Sequence, residues 1–124
     1  MKSASPYIFV DNCLNVMDYY QALFGGEITN IQKTGDGKCL HAELHFGNSI
    51  IHFSDTFSKV NQGDHVRIVL ECESEEEIRK VYDSLSQGGR ITLELQETFW
   101  GALHANLVDR FGIGWLLNFQ KRKI

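Results

Sequence analysis

Gly25-Gly26-Glu27-Ile28-Thr29 recurs 63 residues later as Gly88-Gly89-Arg90-Ile91-Thr92, and Leu40-His41-Ala42-Glu43-Leu44 recurs at the same offset as Leu103-His104-Ala105-Asn106-Leu107. Two separate matches at one shift, each with identities, mark a tandem duplication. Tyr19 and Tyr82 fall in the same step. Only the last hairpins drift: Gly47 and Gly112 are 65 apart, which reads as a two-residue insertion in the second copy.

Each copy carries the same local pattern. Tyr7-Ile8-Phe9-Val10 is β-branched and aromatic, as strands are. Asp11-Asn12 offers an N-cap, and Leu14, Met17, Tyr20 and Phe24 follow at helical spacing up to Gly25-Gly26. The second copy opens with Val66 to Leu70. Its helix starts at a Ser74/Glu77 capping box, with Glu75, Glu76 and Glu77 at the positive end of the dipole. Ile78, Val81, Tyr82 and Leu85 make its apolar stripe. Three strand-like runs follow each helix: Glu27 to Gln32, Cys39 to His45 and Ser49 to Ser54, then Ile91 to Leu95, Ala102 to Val108 and Ile113 to Phe119. Gly35-Asp36-Gly37, Gly47-Asn48 and Asp109 to Gly112 are the turns. Each copy is therefore a βαβββ module, and the class is α+β.

With 124 residues, 43% hydrophobic and 23% charged, the chain fits one globular domain, 1–124, with modules at about 1–60 and 64–124. A module of that length buries little surface alone, so the two are expected to associate and enclose a cleft. A net charge of −4 disfavours a nucleic-acid partner. The basic run Lys121-Arg122-Lys123 reads as a solvated tail. Cys13, Cys39 and Cys72 suggest neither a disulfide framework nor a zinc knuckle. The absence of a long apolar stretch points away from a membrane, and a cytoplasmic setting follows by elimination.

At this point the motifs resemble PhnB-like proteins of the glyoxalase/bleomycin-resistance/extradiol-dioxygenase (vicinal oxygen chelate) superfamily. The similarity runs from Pro6 to Val10 through Tyr19-Tyr20 and Phe24 to Ile28. It continues with His41 to Leu44 and Gly47 to Asp55, and closes with Trp100-Gly101, Asp109-x-Phe111-Gly112-x-x-Trp115 and Asn118. The resemblance implies curved mixed sheets around a ligand cleft and a homodimer. It does not imply one reaction, since relatives include metal-dependent isomerases and oxygenases, thiol transferases that disarm antibiotics, and metal-free proteins that sequester drugs. No Gly-rich nucleotide turn is present to support a methyltransferase. Arg110 stands where the family usually has proline.

Metal-using relatives place His or Gln on the first strand of a module and Glu on its last. The matching positions here are Ser5 or Tyr7, His52, His65 and Leu116. His52 and His65 are the candidate metal ligands. The carboxylate expected at Leu116 is missing, with Glu43 or Glu94 as substitutes if strand faces allow. A catalytic site normally needs three protein ligands. The reading therefore favours a small organic ligand without a metal, a divalent ion being the alternative and a non-catalytic interaction protein the next. Candidate ligand contacts are Tyr7, Phe9, Phe99, Trp100 and Trp115, with His41 and His104 as a symmetric pair. Duplication alone explains that pair, so the favoured reading is of strand histidines satisfied by neighbours and inherited twice. No catalytic residue is assigned.

Overall fold

The computed structural model describes residues 1–121. The chain divides into two compact units, Met1–Asn61 and Gln62–Ile124. In the first, β1 (Tyr7–Phe9), α1 (Cys13–Phe24), β2 (Glu27–Lys33), β3 (Cys39–Phe46) and β4 (Ser49–Ser54) form a sheet of order β1-β4-β3-β2. In the second, β5 (Ile68–Glu71), α2 (Glu75–Leu85), β6 (Arg90–Glu97), β7 (Ala102–Val108) and β8 (Gly114–Gln120) repeat it as β5-β8-β7-β6. The outer pairs β1/β4 and β5/β8 are parallel and the others antiparallel, so both sheets are mixed. Among the described residues, no helix is long and apolar enough to cross a membrane.

Alternation along the strands separates a core face from an outer face, because successive side chains point opposite ways. In the first unit Ile8, Ala42, Leu44, Ile51 and Phe53 are buried with α1 residues Cys13, Val16, Met17 and Tyr20. Each large apolar side chain removed from water contributes roughly 1.5–3 kcal/mol. The buried stripe of α1 is thus rotated from the expected one, leaving Leu14 and Phe24 half-buried. In the second unit Ile78, Val81 and Leu85 cover Leu103, Ala105, Leu107, Trp115 and Leu117, while Tyr82 stays at the margin.

The glycine pairs explain why the repeat is so visible. A Cβ on Gly26 would sit 1.9 Å from the His45 carbonyl oxygen, and one on Gly89 would sit 2.3 Å from that of Val108. The helix exit crosses the neighbouring strand too closely for any side chain. His45 and Val108 are themselves 63 apart, so backbone contact and sequence repeat share one offset.

Several local expectations are corrected. Asn12 occupies the α1 N-cap in a left-handed conformation, φ 58°, and its side chain makes no cap bond. Asp55 does that work from the end of the module, accepting from the Cys13 N–H at 3.1 Å with one oxygen and the Cys39 N–H at 2.7 Å with the other. The second helix follows its sequence: Ser74 Oγ accepts from the Glu77 N–H, and Glu77 accepts from the Glu73 N–H. Four residues lie between the paired His45 and Ile50, and five between the paired Val108 and Gly114, so the insertion is one residue rather than two. β5 begins at Ile68 instead of Val66, which is 83% exposed. Lys121 pairs with Glu97 at 2.5 Å and Glu75 at 3.8 Å rather than trailing in solvent. Arg122 and Lys123 lie outside the described residues.

Candidate functional site

The outer face of the first sheet gathers the chemistry. Strand period places His41, Glu43 and His45 on one face of β3. The antiparallel register sets Glu43 opposite His52 on β4, and the parallel register sets Tyr7 of β1 beside His52. Three adjacent strands thereby bring a phenol, two imidazoles and a carboxylate together.

One ring nitrogen of His41 (Nε2) lies 2.9 Å from Nδ1 of His52, a hydrogen bond in which one imidazole donates and the other accepts. The two rings are nearly parallel, with centroids 5.1 Å apart. Tyr7 stacks alongside both, 6.0 Å from His52 at 3° and 5.9 Å from His41 at 23°. Phe9 extends the aromatic surface, 4.7 Å from Tyr7. Tyr7 and Phe9 are 42% and 52% exposed, so the patch faces solvent. Glu43 is held on one oxygen by His45 at 2.8 Å, and its other oxygen is 4.0 Å from His41. The His45 bond, followed by one from Asn30, keeps the Glu43 carboxyl below the usual carboxylate value.

Ligand atoms of His41, Glu43 and His52 all lie within 4.8 Å of one another. Two imidazoles and a carboxylate suit a borderline divalent ion, and His45 would orient the carboxylate from behind. The set could therefore hold a metal, which would supply a Lewis acid. It differs from the pair read in the sequence. His52 finds its partners on its own sheet, whereas His65 belongs to the second unit, in an exposed bend before β5. Glu43 does share the face of His52; Glu94 lies on β6 of the other unit. The hairpin turn carried the signal for this set. Gly47-Asn48 pairs residue 46 with 49, and counting back three residues puts 43 opposite 52.

The remaining candidates are placed differently. Phe99 and Trp100 form the turn between β6 and β7, where they meet edge to face at 4.9 Å and are 95% and 41% exposed. His104 meets the Trp100 edge at 6.4 Å. Its buried Nδ1 finds no hydrogen-bond partner among the described residues. Trp115 is fully buried, with its indole N–H donating to Asp109 at 2.8 Å, so it serves the core rather than a ligand surface. Arg110 is exposed and stacks over Phe111 at 4.5 Å. The thiols are ill-suited as nucleophiles: burial pushes Cys13 and Cys39 upward and Cys72 up to about 12.

Comparison with known proteins adds the lineage. Residues 4–117 match the sequence model of the Glyoxalase/Bleomycin resistance protein/Dioxygenase superfamily. Protein YjdN of Escherichia coli K12 is 27% identical over 141 aligned positions, spanning 96% of each chain. Protein PA1353 from Pseudomonas aeruginosa superposes with a TM-score of 0.88 at 26% identity, covering 98% of this chain and 100% of that one. A PhnB protein from Bacillus cereus, described as a putative 3-demethylubiquinone-9 3-methyltransferase, superposes at 0.84 with 22% identity, covering 95% and 99%.

Proposed function

The chain belongs to the glyoxalase/bleomycin resistance protein/dioxygenase superfamily, and within that frame we propose that it binds a small organic molecule on the outer sheet face of its first unit, without requiring a metal. One fold hosts many chemistries in such families, so the reading rests on this chain's own residues. The observation that carries it is the open stack of Tyr7, His41 and His52. A planar or apolar ligand would lie on that surface and take a hydrogen bond from the imidazole pair. Metal independence is favoured by how the polar atoms are already used. Each imidazole meets the other at 2.9 Å. The family resemblance carries with it a homodimer, which sedimentation velocity would test.

A thermal-shift screen of aromatic antibiotics and thiols in EDTA is the direct experiment, because a ligand of the native state raises its melting temperature. At least one compound is expected to raise Tm in the wild type and not in His52→Ala. If no compound acts in EDTA, the metal-free reading fails.

A second reading is a metal-dependent lyase, isomerase or dioxygenase, favoured by the convergence of His41, Glu43 and His52 within 4.8 Å. Stoichiometric zinc, iron or nickel that is lost in both His41→Ala and His52→Ala would establish it over the first.

A further inference from the structure

A second polar assembly occupies the sheet of the other unit, built around Arg67. Its side chain is only 14% exposed although it carries a permanent charge. Two neutral acceptors fix the guanidinium from the sheet. One terminal nitrogen donates to Thr92 Oγ1 at 2.8 Å and to Asn106 Oδ1. The strand beneath it makes room for the stem: a Cβ on Gly114 would lie 2.7 Å from Arg67 Cγ. The other terminal nitrogen meets Asp64 at 3.0 Å. Asp64 precedes β5 in an exposed segment, is itself 57% exposed, and also pairs with Arg90 at 3.4 Å. Arg67, Asp64, Thr92 and Asn106, with His65 and Leu116, line a depression of about 450 Å³.

The pattern separates what is built from what is exchangeable. Thr92 and Asn106 aim the guanidinium but leave its charge uncompensated. The negative charge comes from Asp64, a side chain 57% exposed and free to move into solvent when another anion takes its place. An arginine fork presents parallel donors that match the two oxygens of a carboxylate.

We propose that Arg67 is the seat of a carboxylate-bearing small molecule, with Asp64 as the internal group that the ligand displaces. The ligand carboxylate takes the position of the Asp64 side chain against Arg67. His65 stands in the lining and Leu116 offers an apolar surface for the ligand body. This site uses none of the residues invoked for the first unit.

Benzoate titrated into the full-length chain at constant ionic strength, followed by amide and arginine side-chain NMR signals, tests the assignment. Saturable shifts are expected at Arg67, His65, Thr92 and Asn106. Asp64→Asn removes the competitor and should tighten benzoate by about tenfold, a change worth roughly 1.4 kcal/mol. Arg67→Lys keeps a charge and loses the fork, so it should weaken binding at least fivefold while the spectrum stays dispersed. Lys80→Ala, at an exposed position of α2, should leave the titration unchanged. Equal affinities in wild type and Asp64→Asn, or full affinity in Arg67→Lys, would overturn the proposal. Inorganic phosphate binding more tightly than benzoate would overturn the carboxylate assignment.

Discussion

The two units share a backbone and differ at the face that bears chemistry. His41 corresponds to His104, Glu43 to Asn106, and His52 to Leu116, the last pair identified by their partners across the hairpins. In the first unit the three side chains meet. In the second, leucine removes the histidine's partner, the amide accepts from Arg67, and a buried His104 nitrogen finds no partner among the described residues. The contrast shows where duplication is constrained. Close backbone approach tolerates only glycine at 26 and 89, and a positive φ favours it at 25 and 88, so both pairs persist. The outer strand positions carry different side chains on the same backbone, His52 in one unit and Leu116 in the other.

The most severe break of this comparison is at the shared backbone. Gly26→Ala is expected to destabilise the chain by roughly 3–5 kcal/mol, because it combines φ +87° with a carbonyl oxygen at 1.9 Å. Gly89→Ala meets its carbonyl at 2.3 Å with no positive φ and should cost less, about 2–4 kcal/mol. Urea unfolding of the two variants checks the order. Equal midpoints would mean that backbone conformation adds nothing to the clash.

Helix starts form the next comparison, since one unit caps across its whole length and the other locally. Asp55→Ala strands the N–H groups of Cys13 and Cys39, both fully buried residues, and should cost roughly 2–4 kcal/mol in urea unfolding. Ser74→Ala removes one local cap bond and should cost about 1 kcal/mol. A larger loss in Ser74→Ala would reverse the assignment of which helix depends on tertiary contact.

That difference also marks what the sequence could reveal. The glycine pairs, the capping box at Ser74 and the hydrophobic alternation are local signals, and they place the helices and strands of the described residues to within two residues. Asp55 acts 42 residues from the N–H it caps, and no local pattern announces this. The same limit applied to the site. Position matching to relatives chose His52 and His65. Geometry joins His52 to His41 and Glu43, because cross-strand register, rather than order along the chain, decides which side chains meet. Trp115 read as a pocket aromatic since strand periodicity alone does not say which face is core.

The two histidines at equivalent positions offer a subtler contrast. His41→Leu breaks a 2.9 Å hydrogen bond and should cost about 1 kcal/mol. His104→Leu removes a buried polar atom without a described partner, so it should be neutral or stabilising by up to about 1 kcal/mol. Thermal melts of both variants, measured side by side, test the sign. A clear loss in His104→Leu would show that this imidazole is satisfied in solution.

Acid titration should give the smallest effect, and it separates the units by chemistry rather than size. The Glu43 carboxyl is lowered by its His45 and Asn30 hydrogen bonds. A group whose folded pKa lies below its unfolded value, about 4.3 for a free glutamate, stabilises the fold fully above that value. The contribution fades as pH falls towards the folded pKa. The unfolding free energy of the wild type relative to Glu43→Gln should therefore shrink as pH falls below the free-glutamate value. His45→Gln should reduce the difference by removing the largest cause of the shift. Asn106→Ala alters the equivalent position of the second unit, which does not titrate, and should leave the acid limb in place. A Glu43→Gln profile parallel to wild type down to pH 3 would mean that the His45 bond does not persist in solution, and the orienting role given to His45 would fall with it.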